Sequence, residues 1–124
     1  MSDKIKVLYI DDEIINLELF KMIFRSQFTV VMALDGNEGL DILKNDPEIK
    51  AVISDLTMPI MNGYQFMEEA LKIRPELPYF ILSGHNISDD INQIDIIKKI
   101  AGYFQKPLDK TDVIQKIKSA CGIL

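Results

Sequence analysis

Short apolar runs alternate with segments of helical periodicity along most of the sequence. The runs are continuous rather than alternating, which is typical of strands buried on both faces of a sheet. Between them, apolar residues recur every three or four positions, which predicts helices with one buried face. The predicted strands cover residues 7–10, 28–33, 51–53, 79–82 and 103–104.

The predicted helices differ in how clearly their buried faces are marked. Suitable N-caps precede three of the helical patterns, at Asn62, Ser88 and Asp109. Asp112 lies three residues after Asp109, and this spacing resembles a capping box. The strong apolar faces are Leu19, Phe20, Ile23 and Phe24; Phe66, Met67, Ala70 and Leu71; and Val113, Ile117, Ala120, Cys121 and Leu124. The weak ones are Leu40 with Leu43, and Ile87, Ile91 and Ile94.

Strict alternation of five strands with five helices predicts an α/β fold, in which a five-stranded parallel sheet is covered by helices on both faces. The 124 residues suit one domain over 1–124, since domains usually have roughly 100–200 residues. Their content of 48% hydrophobic and 27% charged residues is typical of a globular domain that needs no disulfide.

Charge and composition narrow the possible functions. The net charge of −5 argues against direct binding to nucleic acid, which requires a basic surface. No apolar run approaches the roughly 18 residues of a membrane span, and the first residues do not resemble a signal peptide. We therefore expect no membrane insertion and a cytoplasmic location. The single cysteine, Cys121, lies far from the single histidine, His85, so a catalytic thiol is not favoured.

Polar side chains follow the predicted strands where a ligand would bind. Asp11 and Asp12 follow the first strand, Asp55 the third, Ser83 the fourth and Lys106 the fifth. Ligands of open α/β sheets bind at the carboxyl ends of the strands, so these side chains should meet at one rim.

That combination of groups predicts phosphoryl-transfer chemistry. Clustered carboxylates repel one another, and a hard cation such as Mg²⁺ (or Mn²⁺) relieves the repulsion with oxygen ligands. Lys106 would attract the phosphoryl oxygens and Ser83 would donate a hydrogen bond to them. Asp55 is then the predicted nucleophile, which would form an aspartyl phosphate.

Four motifs in order carry a family resemblance. They are Val-Leu-Tyr-Ile-Asp-Asp-Glu at 7–13, Ile-Ser-Asp-Leu-Thr-Met-Pro-Ile-Met-Asn-Gly at 53–63, Ile-Leu-Ser-Gly at 81–84 and Tyr-Phe-Gln-Lys-Pro-Leu at 103–108. With these motifs nearly the whole chain resembles the receiver domain of bacterial response regulators. The resemblance implies a flavodoxin-like, doubly wound (βα)5 fold and a signalling phosphoacceptor rather than a conventional enzyme.

The resemblance also assigns site residues. It implies that Asp55 is the phosphoacceptor and that Lys106 pairs with the phosphoryl group. Asp12 resembles the direct metal ligand and Asp11 a ligand through water, while Thr57 stands where the family uses a backbone carbonyl. The family's Lys–Pro bond at this place is commonly cis. The implied phosphodonor is a sensor histidine kinase or a histidine phosphotransfer protein.

The resemblance further implies a conformational switch. Ser83 would move toward the phosphoryl group and Tyr103 would turn into the vacated space, which reshapes the face of the fourth helix, fifth strand and fifth helix for an unidentified downstream partner. His85 stands where the family can modulate phosphoryl lifetime. For Tyr103 and His85, an ordinary half-exposed or surface side chain is the competing interpretation. The segment 85–100 departs from the family pattern, so we expect an irregular fourth helix.

Three other functions compete with this interpretation. A pseudo-receiver would bind partners without phosphorylation, but it should have lost a key carboxylate or the lysine. A phosphatase of the haloacid dehalogenase type needs a second carboxylate two residues after the nucleophile, where this sequence has Thr57. A nucleotide or flavin site needs glycines in the first strand–helix turn, which here carries Asp-Asp-Glu.

Overall fold

Five parallel strands form the sheet in the order β2-β1-β3-β4-β5. The computed structural model of the chain describes residues 4–122. Pairing of Ile10 with Ser54, of Asp55 with Leu82 and of Ser83 with Gln105 brings the carboxyl ends of four strands to one rim. The strands are β1 Ile5–Ile10, β2 Phe28–Ala33, β3 Ala51–Asp55, β4 Tyr79–Ser83 and β5 Gly102–Gln105. All five predicted strands are confirmed.

Helices cover both faces of this sheet, as the alternating pattern predicts. Helices α1 and α5 pack on one core, and α2, α3 and α4 pack on the other. The fold is the predicted doubly wound, flavodoxin-like one. The helices are α1 Ile14–Phe24, α2 Gly36–Asn45, α3 Gly63–Ile73, α4 Ile94–Ile97 and α5 Lys110–Ala120. Within residues 4–122, none of them is long and apolar enough to cross a membrane.

The buried face of α1 differs from the predicted one. Leu17, Phe20 and Phe24 are buried, whereas Leu19 and Ile23 remain 48% and 41% exposed. Apolar residues lie on both faces of this helix, so spacing alone does not fix which face meets the sheet. The prediction for Leu19 and Ile23 was therefore wrong, and α1 presents an apolar surface to solvent.

The helix ends are largely as predicted. Asn62 caps α3 in a capping box with Gln65, and Asp109 caps α5 by accepting a hydrogen bond from the Asp112 backbone N–H. In α5 the predicted buried face holds at Val113 and Ile117, while Cys121 is half-buried. Ala120 is exposed, contrary to the prediction, and Leu124 lies outside the described residues.

The segment between β4 and β5 is irregular, as expected. Two 3₁₀ turns, Ile87–Asp89 and Ile91–Gln93, precede an α4 of four residues. Asn86 caps the first turn, and its Oδ1 accepts the Ser88 N–H. The second turn, which carries Ile91, has Asp90 at its N-cap, so the prediction that Ser88 caps the helix of Ile91 was wrong. Ile87 is buried, but Ile91 and Ile94 are 76% and 51% exposed because the turns lack the helical period that the prediction assumed.

Candidate functional site

Three carboxylates converge at the carboxyl end of the sheet. Asp11 and Asp12 follow β1, Asp55 ends β3, and one oxygen of each lies within 4.8 Å of the others. Asp11 and Asp55 are buried at 1% and 6% exposure, while Asp12 is exposed. The parallel register of β1 and β3 produces this cluster, which confirms the predicted convergence.

Asp11 is held by two donors that keep its charge oriented. The Tyr9 hydroxyl donates to Oδ2 at 2.8 Å, and the Glu13 backbone N–H donates to Oδ1 at 3.0 Å. The Tyr9 ring is buried and stacks on Phe20 with 4.1 Å between centroids. Burial and the bond to Asp11 raise the pKa of Tyr9, so the phenol stays a protonated donor. Sequence reasoning missed Tyr9, although residues two apart on a strand share a face.

Asp55 and Lys106 form an ion pair at the same rim. Lys106 Nζ lies 3.0 Å from Asp55 Oδ1, and the lysine side chain remains 45% exposed. Burial raises the pKa of Asp55, Lys106 opposes that effect, and the charges of Asp11 and Asp12 add to it. The net pKa is raised, so the protein holds this carboxylate at an energetic cost that a nearby cation would relieve.

These groups border an open cavity of about 490 Å³. Carboxylate oxygens from two strands are suitable ligands for Mg²⁺, which retains open positions for waters or phosphate oxygens. The residues present therefore fit a magnesium site. The cavity is lined by Asp11, Asp12, Glu13, Asn16, Asp55, Thr57, Met58, Pro59 and Lys106.

The start of α3 packs directly on the loop that follows Asp55. The Gly63 backbone N–H donates to Leu56 O at 2.8 Å. A Cβ at position 63 would lie 2.8 Å from the Asp55 carbonyl oxygen and 3.0 Å from Leu56 Cα. Only glycine permits this approach, so α3 and the loop after Asp55 are fixed relative to each other.

Neither of the predicted switch residues, Ser83 and Tyr103, lines this cavity. Ser83 is buried at the end of β4, and its hydroxyl contacts His85. The Tyr103 hydroxyl donates to Asn86 Oδ1 at 2.6 Å. His85 is exposed and lies two residues after the end of β4. The Lys106–Pro107 peptide bond is cis.

A family model for the response regulator receiver domain matches residues 7–118. The chain belongs to this family. The resemblance drawn from the four motifs is thereby confirmed, and with it the assignment to two-component response regulators. The acidic cluster and Lys106 of this receiver domain lie on the motifs that carried the resemblance.

Curated relatives support the same family. The transcriptional regulatory protein GlrR of Escherichia coli K12 is 34% identical over 116 residues, covering 92% of this chain and 26% of the relative. The receiver domain thus spans about a quarter of that protein. The two-component response regulator ORR5 of Oryza sativa subsp. japonica is 31% identical over 111 residues, covering 86% of this chain and 81% of the relative.

Solved structures agree with the fold. A response regulator receiver domain protein from Clostridium thermocellum superposes with a TM-score of 0.85 at 30% identity, covering 95% of this chain and 94% of that one. The chemotaxis protein CheY4 of Vibrio cholerae superposes with a TM-score of 0.83 at 21% identity, covering 94% and 98%. The second likeness concerns the fold alone.

Proposed function

We propose that Asp55 accepts a phosphoryl group from the phosphohistidine of a sensor kinase or histidine phosphotransfer protein. The observation that carries the proposal is the meeting of three carboxylates within 4.8 Å, with Lys106 Nζ 3.0 Å from Asp55. A carboxylate oxygen of Asp55 forms the new bond to phosphorus as the bond to the donor histidine nitrogen breaks. The product is an aspartyl phosphate, and the imidazole leaves as a neutral ring because the other nitrogen of the phosphohistidine carries a proton before transfer.

The neighbouring residues prepare Asp55 for that reaction. Asp11, Asp12, Asp55 and the Thr57 backbone carbonyl would hold Mg²⁺, which neutralises charge on the phosphoryl oxygens when bound. The Lys106 ammonium group would move away from Asp55 Oδ1 and contact the incoming phosphoryl oxygens, because the lysine side chain is flexible and carries a point charge. Positioning and charge neutralisation supply most of the catalysis in such transfers.

Exposed apolar side chains around the cavity favour a protein as the phosphodonor. Ile14 and Ile15 begin α1 directly after the acidic turn and are 61% and 70% exposed. Ile60 follows the cavity residue Pro59 and is 98% exposed. Apolar patches beside a charged site mark protein interaction surfaces, and a small phosphodonor would not need one.

Phosphorylation would then change how a downstream partner is bound. Ser83 would turn to the phosphoryl group and Tyr103 would leave Asn86, so that the face of α4, β5 and α5 changes shape. The phosphoryl group biases two existing conformations rather than creating a new one. The relative GlrR is named a transcriptional regulatory protein. For this receiver domain we propose a downstream protein partner and a location in the cytoplasm.

Intact mass spectrometry after incubation with acetyl phosphate tests the proposal. We expect one added phosphoryl group that requires Mg²⁺ and is absent in Asp55→Asn. Asp95→Asn is the control, because Asp95 is an exposed carboxylate in the first turn of α4. A wild type that stays unmodified and also fails to bind beryllofluoride, a phosphoryl mimic, would contradict the proposed function.

A further inference from the structure

A network of side-chain hydrogen bonds joins α3 to the loop after β4, outside the acidic cavity. The hydroxyl of Tyr64, the second residue of α3, donates to Asp90 Oδ2. His85 Nε2 lies 2.9 Å and 3.0 Å from the two oxygens of the same carboxylate. The bond from Tyr64, and after it the one from His85, lowers the pKa of Asp90, so the centre of the network is an anion.

The other end of this network is Ser83. Its Oγ lies 2.8 Å from His85 O and 3.1 Å from His85 Nδ1, and it accepts the His85 backbone N–H at 3.0 Å. Because Nε2 faces a carboxylate, which can only accept, Nε2 carries a proton and donates to Asp90. The Ser83 hydroxyl donates its one proton to His85, so while that bond is made it cannot also donate to a group on Asp55.

We propose that Tyr64 and Asp90 are positioning residues that hold His85 against Ser83 and thereby oppose the movement of Ser83 toward a phosphoryl group on Asp55. This inference rests on the proposed function. We call Tyr64, Asp90, His85 and Ser83 the Tyr64 network. It would set how strongly the unphosphorylated conformation resists activation.

The anchor of the network is rigid. Tyr64 is buried at 5% exposure and directly follows Gly63, whose backbone is packed against Asp55 and Leu56. The Tyr64 hydroxyl is therefore held at a fixed place relative to the phosphoacceptor. The Ser83 hydroxyl, by contrast, reaches that anchor through the side chains of the loop residues His85 and Asp90, on a segment of short 3₁₀ turns. The loop is the part that can yield.

The direction of the effect follows from a two-state equilibrium. A phosphoryl group, or beryllofluoride in its place, favours the conformation in which Ser83 has left His85. The apparent affinity for such a ligand is reduced by the fraction of molecules held in the other conformation. Weakening the network therefore tightens beryllofluoride binding, about three- to tenfold for the loss of one net hydrogen bond.

The test is titration of the Mg²⁺-loaded protein with beryllofluoride in wild type, Asp90→Ala and Tyr64→Phe. We expect both variants to bind more tightly than wild type, and Tyr64→Phe to add nothing in the Asp90→Ala background. A purely structural role would weaken binding instead. Because His85 is the only histidine, its ring ¹⁵N signals report on the network without ambiguity. They should move in each variant, and in wild type on adding beryllofluoride.

Two control variants separate the network from general damage. Tyr79→Phe removes another buried tyrosine hydroxyl, which donates to Ala70 O and Arg74 O at the far end of α3. Asp89→Ala removes the exposed carboxylate next to Asp90. Both should bind beryllofluoride as wild type does and leave the His85 signals in place.

The outcomes distinguish this inference from the proposed function. If wild type binds beryllofluoride but Asp90→Ala and Tyr64→Phe bind it equally well or less tightly, the network has no opposing role and the phosphoacceptor proposal stands. Unmoved His85 signals in Asp90→Ala would overturn the positioning of His85. If wild type binds no beryllofluoride and takes up no phosphoryl group, the proposed function fails, and the opposing role of the network fails with it.

Discussion

The Tyr9 hydroxyl lies 2.8 Å from Asp11 Oδ2, and the two residues point to the same side because they are two positions apart along the chain. The contact is buried, and the Tyr9 ring is clamped by stacking on Phe20 of α1. The proposed magnesium site thus has one carboxylate whose oxygen is fixed by a neutral donor rather than by a competing positive charge.

Tyr9→Phe should therefore weaken metal binding as well as the fold. A hydrogen bond to a charged group contributes about 1.5–3 kcal/mol, and we expect the variant's free energy of unfolding to be lower than that of wild type by an amount in this range. Loss of a residue that orients a ligand costs about tenfold or more in metal affinity. Calorimetric Mg²⁺ titration and urea unfolding measure the two effects. Tyr79→Phe, the control, should lower stability but leave Mg²⁺ affinity unchanged.

Asp55→Asn should stabilise the metal-free domain at neutral pH. Burial raises the pKa of Asp55 in the folded state, so ionisation of this carboxyl costs stability as pH rises above its ordinary value of 3.8. Relief of one such feature typically adds about 0.5–2 kcal/mol. Urea unfolding at pH 7 should show a higher free energy of unfolding for the variant than for wild type. This difference should shrink as the pH is lowered toward 3.8.

Magnesium should reverse that ranking. Saturating Mg²⁺ stabilises the wild type by mass action, while the variant lacks one ligand and binds the metal less tightly. The wild type should therefore gain more from Mg²⁺ than Asp55→Asn does. Equal gains would mean that Asp55 does not take part in the metal site.

Lys106→Met should displace the acid limb of phosphorylation to higher pH. Lys106 lowers the pKa of Asp55, so its removal raises that pKa further, and the nucleophilic carboxylate is protonated at a higher pH than in wild type. The rate at neutral pH should also fall about 10²-fold, as when a charge-stabilising donor is lost. Initial rates with acetyl phosphate across pH measure both changes, with Lys98→Met as the control. If the rate falls at every pH but the acid limb of the pH–rate profile stays where it is in wild type, Lys106 does not lower the pKa of Asp55.

Gly63→Ala should distort the loop after Asp55. The new Cβ would lie 2.8 Å from the Asp55 carbonyl oxygen, and the backbone must move, at a cost of about 1–3 kcal/mol. Phosphorylation should slow with the loss of stability. Gly84→Ala is the matched control, because its new Cβ would meet no atom within 4 Å beyond its two chain neighbours, and its stability should stay within about 0.5 kcal/mol of wild type. Equal stabilities of the two variants would refute the close packing.

Much of the fold and of the acidic cluster was predictable from local signals. Continuous apolar runs gave the strands, and parallel strands bring their carboxyl ends to one rim, which is why Asp11, Asp12 and Asp55 meet. Asn62 and Asp109 act as caps because capping depends on the few residues around a helix start.

The features that the sequence did not predict depend on tertiary contacts rather than on local signals. Apolar residues lie all round α1, so the choice of Leu17 over Leu19 for the core depends on tertiary packing. The contacts of Ser83 with His85, and of Asp90 with Tyr64, join residues on different elements through a loop without helical period. No spacing in the sequence encodes those contacts.

The Tyr64 network also bears on how such a receiver domain can diversify. The residues proposed to bind the phosphoryl group lie at the ends of four strands, where most substitutions should abolish the proposed reaction. His85 and Asp90 lie on a loop and do not line the acidic cavity. If the network opposes activation, selection can adjust the signal threshold of the response through substitutions in that loop. The residues at the strand ends can then stay unchanged.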